Sequence, residues 1–275
     1  MLRSVGPVWN GNEVWLVSAG GTLFFAFPAL YASSFSGFYL PLMIVLWLLM
    51  LRGIAIAFRG HLDNAAWTPF WDIVFGFSSL LLVLFLGAAL GNVVRGVPLD
   101  GQGNFLEPLW TNFRLGPQPG VIDWYTTLTG VAAVFALTQH GALWVALKTE
   151  GAVNARARSI GRPTWWAVTV ITIVLTAVTF HVQPQIPASL AARPWTYVCP
   201  ALAVAGQIAV WRSLPSGDEL RAFLGSCAYL LGMMTSVVFG LYPVVLPAST
   251  NPAPALTIYN ATMACGWGSR GGCPA

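Results

Sequence analysis

Long apolar runs constrain this chain more than any other feature. Seven of them reach or approach the roughly 20 residues with which an α-helix crosses a bilayer: Val14–Ala32, Phe38–Phe58, Phe70–Val94, Trp124–Leu147, Trp165–Val182, Trp195–Trp211 and Leu220–Leu246. Residues 80–86 read Leu-Leu-Leu-Val-Leu-Phe-Leu, without the alternation of a barrel strand. The sequence therefore predicts an all-α, polytopic transmembrane helix bundle of about seven spans.

The charge content agrees with a membrane protein and excludes most other classes. Only 8% of the 275 residues are charged, whereas 56% are hydrophobic, and an average soluble domain is about a quarter charged. The net charge of +4 comes from scattered basic residues rather than from a Lys/Arg block. Because nucleic-acid binding requires a concentrated basic patch, we expect no nucleic-acid partner.

The basic residues divide unequally between the two ends of the predicted spans. One side carries nine: Arg3, Arg52, Arg59, Lys148, Arg156, Arg158, Arg162, Arg212 and Arg221. The other side carries four: Arg95, Arg114, Arg193 and Arg270. The positive-inside rule then predicts a cytoplasmic N-terminus and an outer location for the long connection from Arg95 to Asp123.

Glu13 lies at the start of the first predicted span and has two interpretations. In one, Asn12 caps the helix and Glu13 occupies its first turn, where the helix dipole favours a negative charge. In the other, Glu13 is a carboxylate at the cytoplasmic mouth of a proton path. The spacing alone leaves both open.

Other polar residues near span ends suggest structural roles. Asp72 and Asp123 stand beside Trp71 and Trp124, and we expect both carboxylates to cap helices. Arg52 lies near the inner end of its span, from which a long side chain can extend to the headgroups.

Few residues suggest chemistry of their own. His140 lies well inside a predicted span, where it is either an axial haem ligand or a hydrogen-bonded bundle residue. The sequence offers no convincing second haem ligand, no metal-binding signature and no catalytic constellation. Cys265 and Cys273 would both lie outside, where a disulfide is possible.

Several ordered motifs resemble one family. They include Gly-Pro-Val-Trp-Asn-Gly-Asn-Glu-Val-Trp-Leu at residues 6–16 (with Trp9, Asn10, Asn12, Glu13 and Trp15), Ala26–Ala32, Leu51–Ala55, Gly87–Asn92, His140–Leu143, Lys148–Gly151 and Tyr242–Ala261. The chain is similar in these to subunit II of cytochrome bd-type quinol oxidases. The resemblance suggests a subunit II-like transmembrane domain over residues 1–261 and a polar tail outside the family over residues 262–275.

The resemblance implies a function shared with a partner. Subunit I would carry two b-type haems, one d-type haem and the quinol site, and would reduce oxygen to water. This chain would then be a haem-free companion in the bacterial inner membrane that lines a cytoplasmic proton-uptake path, and in some members subunit II also holds a structural quinone. In that setting His140 is an ordinary bundle residue.

The sequence departs from the family pattern in three ways. Asn10 replaces the aspartate usual in Trp-Asp-Gly-Asn, and an amide cannot ionise, so Glu13 becomes the only carboxylate of that stretch. Ala57 stands where an acidic residue often precedes the Phe58–Arg59 pair. The family has nine helices, and its first and last have no counterpart among the seven predicted here. We therefore expect one incomplete and one complete four-helix bundle.

Two further classes stay open on sequence grounds. An inactive fragment, or an assembly or scaffold protein without a catalytic part, would share the apolar spans. A secondary transporter would need a polar site near the middle of the membrane, and ionisable residues are nearly absent there.

Overall fold

A computed structural model describes residues 2–62, 64–116, 119–249 and 255–262, with side chains from residue 6 onward. Within this part of the chain the helices are α1 (Leu2–Ala26), α2 (Pro28–Gly37), α3 (Tyr39–Phe58), α4 (Trp67–Arg95), α5 (Trp124–Lys148), α6 (Gly151–Val182), α7 (Gln185–Ala192), α8 (Val198–Ser216) and α9 (Glu219–Leu241). A 3₁₀ turn spans Pro194–Tyr197, and the strands are β1 (Val244–Leu246) and β2 (Leu256–Thr257). The predicted all-α membrane architecture is confirmed.

The described residues include five helices long and apolar enough to cross a membrane, namely α3, α4, α5, α6 and α9. They correspond to five of the seven predicted spans. The first predicted span is divided, because α1 ends at Ala26 and Pro28 opens α2. Proline lacks the N–H that would continue the helix and disfavours a helical conformation in the preceding residue. The predicted span at Trp195–Trp211 is helical over most of its length, but α8 is not among the five.

The last predicted span is also shorter than expected. Helix α9 ends at Leu241, and Val244–Leu246 forms β1 instead. Pro243 cannot donate the hydrogen bond that would extend the helix past this point. The antiparallel pairing of β1 with β2 places Leu246 opposite Leu256.

Glycines allow the helices to approach closely. A β-carbon on Gly87 of α4 would lie 2.8 Å from the backbone of Gly130 on α5, and one on Gly206 of α8 would lie 2.5 Å from the carbonyl of Gly225 on α9. Small residues promote such packing where apolar burial supplies little driving force. Around Gly20 of α1, in contrast, no other described part of the chain comes within 4 Å of the β-carbon position, apart from the backbone of its own helix.

Helices α5, α6, α8 and α9 form a closed four-helix bundle, because each packs against two others of the set. Polar side chains join the helices inside it. The amides of Gln139 and Gln207 exchange long hydrogen bonds of 3.4 Å, and the hydroxyls of Thr172 and Tyr229 lie 2.6 Å apart. The predicted complete bundle is therefore present, with α4 packed along α5.

A compact cap covers one end of the helices. It is built from the connection between α4 and α5, the β1–β2 hairpin and the α2–α3 corner. Its buried apolar residues are Leu30, Phe38, Val97, Leu99, Phe105, Val121, Leu246, Leu256 and Ala261. This cap belongs to the side that the charge distribution predicts to be outer, and it fixes the ends of α4 and α5.

Candidate functional site

The Trp9–Trp15 motif lies within helix α1. Because the helix begins at Leu2, Asn12 is an interior residue and not a cap. The capping interpretation of Asn12 and Glu13 is therefore wrong. The apolar run begins where the apolar part of α1 begins, but the helix itself starts earlier, at Leu2. Asn10 and Asn12 are exposed, and Trp15 is 75% exposed.

Trp9 brings the motif next to α3. Its indole ring lies 3.9 Å from the position that a β-carbon on Gly53 would occupy. Glu13 is four residues further along, on the same face of α1 as Trp9. Glu13 is half-buried, and its Oε1 is enclosed without a hydrogen-bond partner among the described residues. This face of α1 thus directs a carboxylate toward the neighbourhood of Arg52, which precedes Gly53.

Arg52 lies against one face of α4. Its guanidinium carbon is 5.9 Å from the centre of the Phe75 ring. Trp71, Phe75 and Ser79 repeat every four residues and so share this face. Arg52 Nε, Trp71 Nε1 and Ser79 Oγ are all enclosed and unpartnered within the described chain. The described residues include six enclosed side-chain atoms without a hydrogen-bond partner, and four of these six lie on neighbouring parts of α1, α3 and α4.

Asp72 does not cap α4, contrary to prediction. The helix begins at Trp67, with Ala66 in the capping position, so Asp72 lies in its second turn. Its carboxylate accepts hydrogen bonds from Arg59 Nε at 2.5 Å and from Arg59 Nη2 at 3.1 Å. Asp72 therefore ties the start of α4 to the end of α3, in a pair that is largely open to its surroundings.

His140 is hydrogen-bonded within the second bundle. Its Nδ1 lies 2.9 Å from Ser226 Oγ on α9, and its ring packs on Phe223 with 5.0 Å between the ring centres. Ser226 Oγ also lies 2.7 Å from the Phe223 carbonyl, to which its hydroxyl can donate. These contacts favour the bundle interpretation of His140.

An ion cluster, not foreseen from the sequence, lies beneath the cap. Arg95 at the end of α4 forms ion pairs with Glu107 and Asp123, whose side chains are fully buried. Arg95 Nη2 also donates to Asn92 Oδ1 at 2.7 Å. Asp123 caps α5 as predicted, because it accepts from the backbone N–H groups of the first turn at 2.7 and 2.8 Å. The available sequence signal was Arg95 at the end of a span, followed by three acids, Asp100, Glu107 and Asp123, in a connection that is richer in charge than the rest of the chain.

Glu107 joins this cluster to the α2–α3 corner. Its backbone N–H donates to the Gly37 carbonyl at 3.2 Å, and the nearby Phe105 ring packs edge-on against Phe38. Burial is the main cause that raises the pKa of Glu107 from 4.5 to about 7, against the opposing attraction of Arg95. Its Oε2 has no partner among the described residues. The Arg95 guanidinium faces two carboxylates here. Asp123 is the better stabilised of the two, because it also accepts hydrogen bonds from backbone N–H groups at the start of α5.

Because the pKa of Glu107 is raised on folding, its contribution to stability is full below pH 4.5 and is lost as the pH rises toward 7. The loss amounts to roughly 3 kcal/mol. We expect the thermal midpoint of the purified wild-type protein to fall between pH 5 and pH 8, and that of Glu107→Gln to change much less. An exposed carboxylate changed in the same way, Glu150→Gln, serves as the control. Parallel pH profiles for wild type and Glu107→Gln would contradict this assignment.

The structure brings some predicted residues together and separates others. Trp9 on α1 contacts Gly53 on α3, which brings the turn that precedes Glu13 next to Arg52, whereas His140 belongs to the other bundle. Cys265 and Cys273 lie outside the described residues, as does nearly all of the predicted polar tail. Among the described residues, no three His, Cys, Asp or Glu side chains are grouped as metal ligands would be.

Sequence comparisons give a consistent picture. The profile of the family described as cytochrome bd terminal oxidase subunit II matches residues 1–264. The chain is 32% identical to cytochrome bd ubiquinol oxidase subunit 2 of Bacillus subtilis, over 95% of this chain and 74% of that protein. It is 30% identical to the probable cytochrome oxidase subunit 2 of Haemophilus influenzae, over 95% and 75%. Cytochrome bd-I ubiquinol oxidase subunit 2 of Escherichia coli K12 is 27% identical, over the same shares.

Proposed function

Because this chain belongs to the cytochrome bd terminal oxidase subunit II family, we propose that it supports a haem-bearing subunit I in oxidising quinol and reducing O₂ to water. Membership makes it a multi-pass membrane subunit of an oxidoreductase complex. The proposal adds that it binds no haem itself, that membrane lipid surrounds its helices, and that it contributes to quinol oxidation only as part of this assembly.

Its histidines support the haem-free assignment. His140 is hydrogen-bonded through Nδ1 to Ser226 Oγ, and its imidazole ring packs against the Phe223 ring. His61 is exposed beyond the end of α3 and engages the Ala57 carbonyl at 2.9 Å, while His181 is exposed near the end of α6. His61 and His181 lie at helix ends on opposite predicted sides of the membrane, and His140 lies inside α5, so the three levels do not favour a facing pair of histidine ligands for a b-type haem. The haems are accordingly assigned to subunit I.

We further propose that Glu13 takes up protons for the oxidase. Two observations carry this: Trp9 contacts Gly53, which brings the Glu13 face of α1 to the helix of Arg52, and four side-chain atoms on α1, α3 and α4 are enclosed without a partner among the described residues, namely Glu13 Oε1, Arg52 Nε, Trp71 Nε1 and Ser79 Oγ. Buried polar atoms normally find a partner in protein or ordered water, and these four offer both donors and an acceptor to water. Glu13 is the ionisable member, whereas exposed Asn10 can orient water at the mouth without exchanging a proton.

The orientation is part of the same proposal. The positive-inside count puts the start of α1 in the cytoplasm, and protons consumed in making water would then be drawn from that side. The Arg59–Asp72 pair and the end of α3 would face the cytoplasm, and the cap with its Arg95 cluster would face outward.

Glu13→Gln tests the proton path. In the assembled oxidase we expect quinol-driven oxygen consumption to fall by about tenfold or more, because the amide keeps the size and polarity of the side chain but cannot exchange a proton; positioned proton transfer contributes about 10²–10⁴-fold in enzymes. The haem absorption spectra of subunit I should be unchanged, which shows that the complex has assembled.

The matched control is Glu150→Gln, which removes an exposed carboxylate before α6 on the same predicted side. It should leave oxygen consumption unaltered. If Glu13→Gln also turns over at the wild-type rate with intact spectra, Glu13 is no proton carrier and the chain's role is structural support.

A further inference from the structure

The predicted cytoplasmic ends of α6 and α8 are locked in register by aromatic and small residues. Trp165 Nε1 donates to the Gln207 carbonyl at 2.9 Å, and the Trp165 ring stacks on Trp211 with 6.3 Å between the centres. Four residues before Trp165, a β-carbon on Gly161 would lie 3.0 Å from Leu214 Cδ2. The two helices therefore run antiparallel, with residues 161–165 facing residues 207–214.

This register places two arginines at one level. Arg162 follows Gly161 on α6, and Arg212 precedes Leu214 by two residues on α8. Successive residues of an α-helix are turned by about 100° around its axis. Because α6 and α8 run in opposite directions, this rotation places Arg162 and the pair Trp211–Arg212 on the same flank of the helix pair. That flank points away from α5 and α9, and both arginines are exposed on it.

The guanidinium groups on this flank are uncommitted. Neither Arg162 nor Arg212 forms an ion pair with a described residue. Of the acids at this end, Asp218 pairs with Arg221 at 3.1 Å, Glu219 accepts from Asn154 at 2.6 Å, and Glu150 lies at the start of α6, about 18 Å along the helix from Arg162. Among the described residues, the flank therefore carries positive charge with no acid paired to it.

Exposed indoles accompany the charge. Trp166 is 63% exposed and Trp211 is 53% exposed. Tryptophan favours the boundary between headgroups and hydrocarbon, and a planar guanidinium matches the geometry of a phosphate. The order of side chains along this flank matches the parts of a phospholipid. The apolar helix lies at the level of the acyl chains, the indoles lie at the boundary, and the arginines lie at the level of the phosphate.

We propose that Arg162, Trp166, Trp211 and Arg212 form a binding surface for an anionic phospholipid, whose phosphate lies between the two guanidinium groups. Phosphatidylglycerol is the appropriate probe, because it adds a net negative charge that phosphatidylcholine lacks. The inference depends on insertion of α6 and α8 in a bilayer and does not depend on the proton path through Glu13.

The test uses the assembled complex in phosphatidylcholine nanodiscs doped with a photoactivatable lipid. Phosphatidylglycerol and phosphatidylcholine probes with the same reactive chain are compared, and crosslinked peptides are quantified by mass spectrometry. Peptides covering residues 160–166 and 208–214 should favour the anionic probe over other lipid-facing peptides. The preference should fall about fivefold in Arg162→Gln, because this is the effect of removing one cation near an anionic surface. It should fall again in the double variant with Arg212→Gln.

Arg156→Gln is the matched control. It removes an exposed arginine from the same helix, six residues before Arg162 and without an adjacent tryptophan, and should keep the preference. Haem spectra and oxygen consumption confirm that each variant assembles, and they report on the proton path separately. The proposal is overturned if Arg162→Gln retains the full preference, if Arg156→Gln loses as much, or if neither probe reaches these peptides because protein covers them.

Discussion

Arg95→Met is expected to lower the free energy of unfolding by about 3–5 kcal/mol, the largest effect of any single substitution considered. Methionine retains an aliphatic stem of similar length but removes the guanidinium that faces Glu107 and Asp123. Breaking a buried ion pair by removing one partner leaves an uncompensated buried charge, which is the costly case. Asp123 and Glu107 would both lose the guanidinium that donates to them, and Glu107, whose pKa is already raised to about 7, would become still harder to ionise.

The consequences should be concentrated in the cap. Arg95 also donates to the Gly120 carbonyl at 3.2 Å and to Asn92 at 2.7 Å, so its loss frees the connection between α4 and α5. We expect a lower thermal midpoint of the detergent-solubilised complex and faster proteolysis in this connection. The double variant with Glu107→Gln should recover part of the loss above pH 7, because the amide at residue 107 cannot ionise in the buried cluster.

A matched control is available at the opposite predicted side. Arg59→Gln breaks the pair with Asp72, whose side chains are 35% and 52% exposed. An exposed pair contributes about 1 kcal/mol or less, so this variant should stay close to wild type. Equal destabilisation by Arg59→Gln and Arg95→Met would show that burial of the cluster is not what makes Arg95 important.

Gly206→Val is expected to separate α8 from α9 and to destabilise the second bundle by about 2 kcal/mol or more. A β-carbon at residue 206 would stand 2.5 Å from the Gly225 carbonyl oxygen and 2.6 Å from the Tyr229 backbone nitrogen. Backbone atoms cannot rotate aside as a side chain can, so the helices must move apart. Overpacking a close contact costs typically 1–3 kcal/mol, and the lost contacts between the helices add to that.

Gly141→Ala is the control for Gly206→Val. Gly141 is also a glycine inside a helix of the same bundle, but its β-carbon position has no neighbour within 4 Å among the described residues beyond its own helix backbone. Alanine should there be neutral or stabilise by up to about 1 kcal/mol, because it raises helix propensity. Thermal unfolding followed by circular dichroism compares the two. A Gly206→Val protein as stable as wild type would show that α8 and α9 do not depend on this approach.

Much of the fold could be predicted from local sequence because the bilayer imposes a length and a polarity on each span. The run Phe38–Phe58 and the observed helix Tyr39–Phe58 differ by one residue. The division at Pro28 and the end of α9 before Pro243 were missed. In both, an apolar run continues through a proline, so hydropathy does not register the break that the missing N–H produces.

The candidate sites were predicted less completely, for a different reason. Asp123 could be identified as a cap because capping depends on three or four consecutive residues. Asp72 could not be assigned correctly, because its partner Arg59 lies across the α3–α4 turn and because α4 begins at Trp67, three residues before the predicted span. The sequence could single out Glu13 because it is a carboxylate at the start of a span. It could not predict that the Glu13 side chain is partly enclosed near Arg52.

The sequence by itself determined that this chain spans a membrane, that it consists of helices and which family it belongs to, since composition, run length and local motifs are properties of contiguous residues. The tertiary structure alone decided that Arg95 meets Glu107 and Asp123, that Gly206 faces Gly225 and that Arg162 stands level with Arg212. Each of these depends on where distant segments come together, and that is set by the packing of whole helix faces, which a linear pattern does not encode.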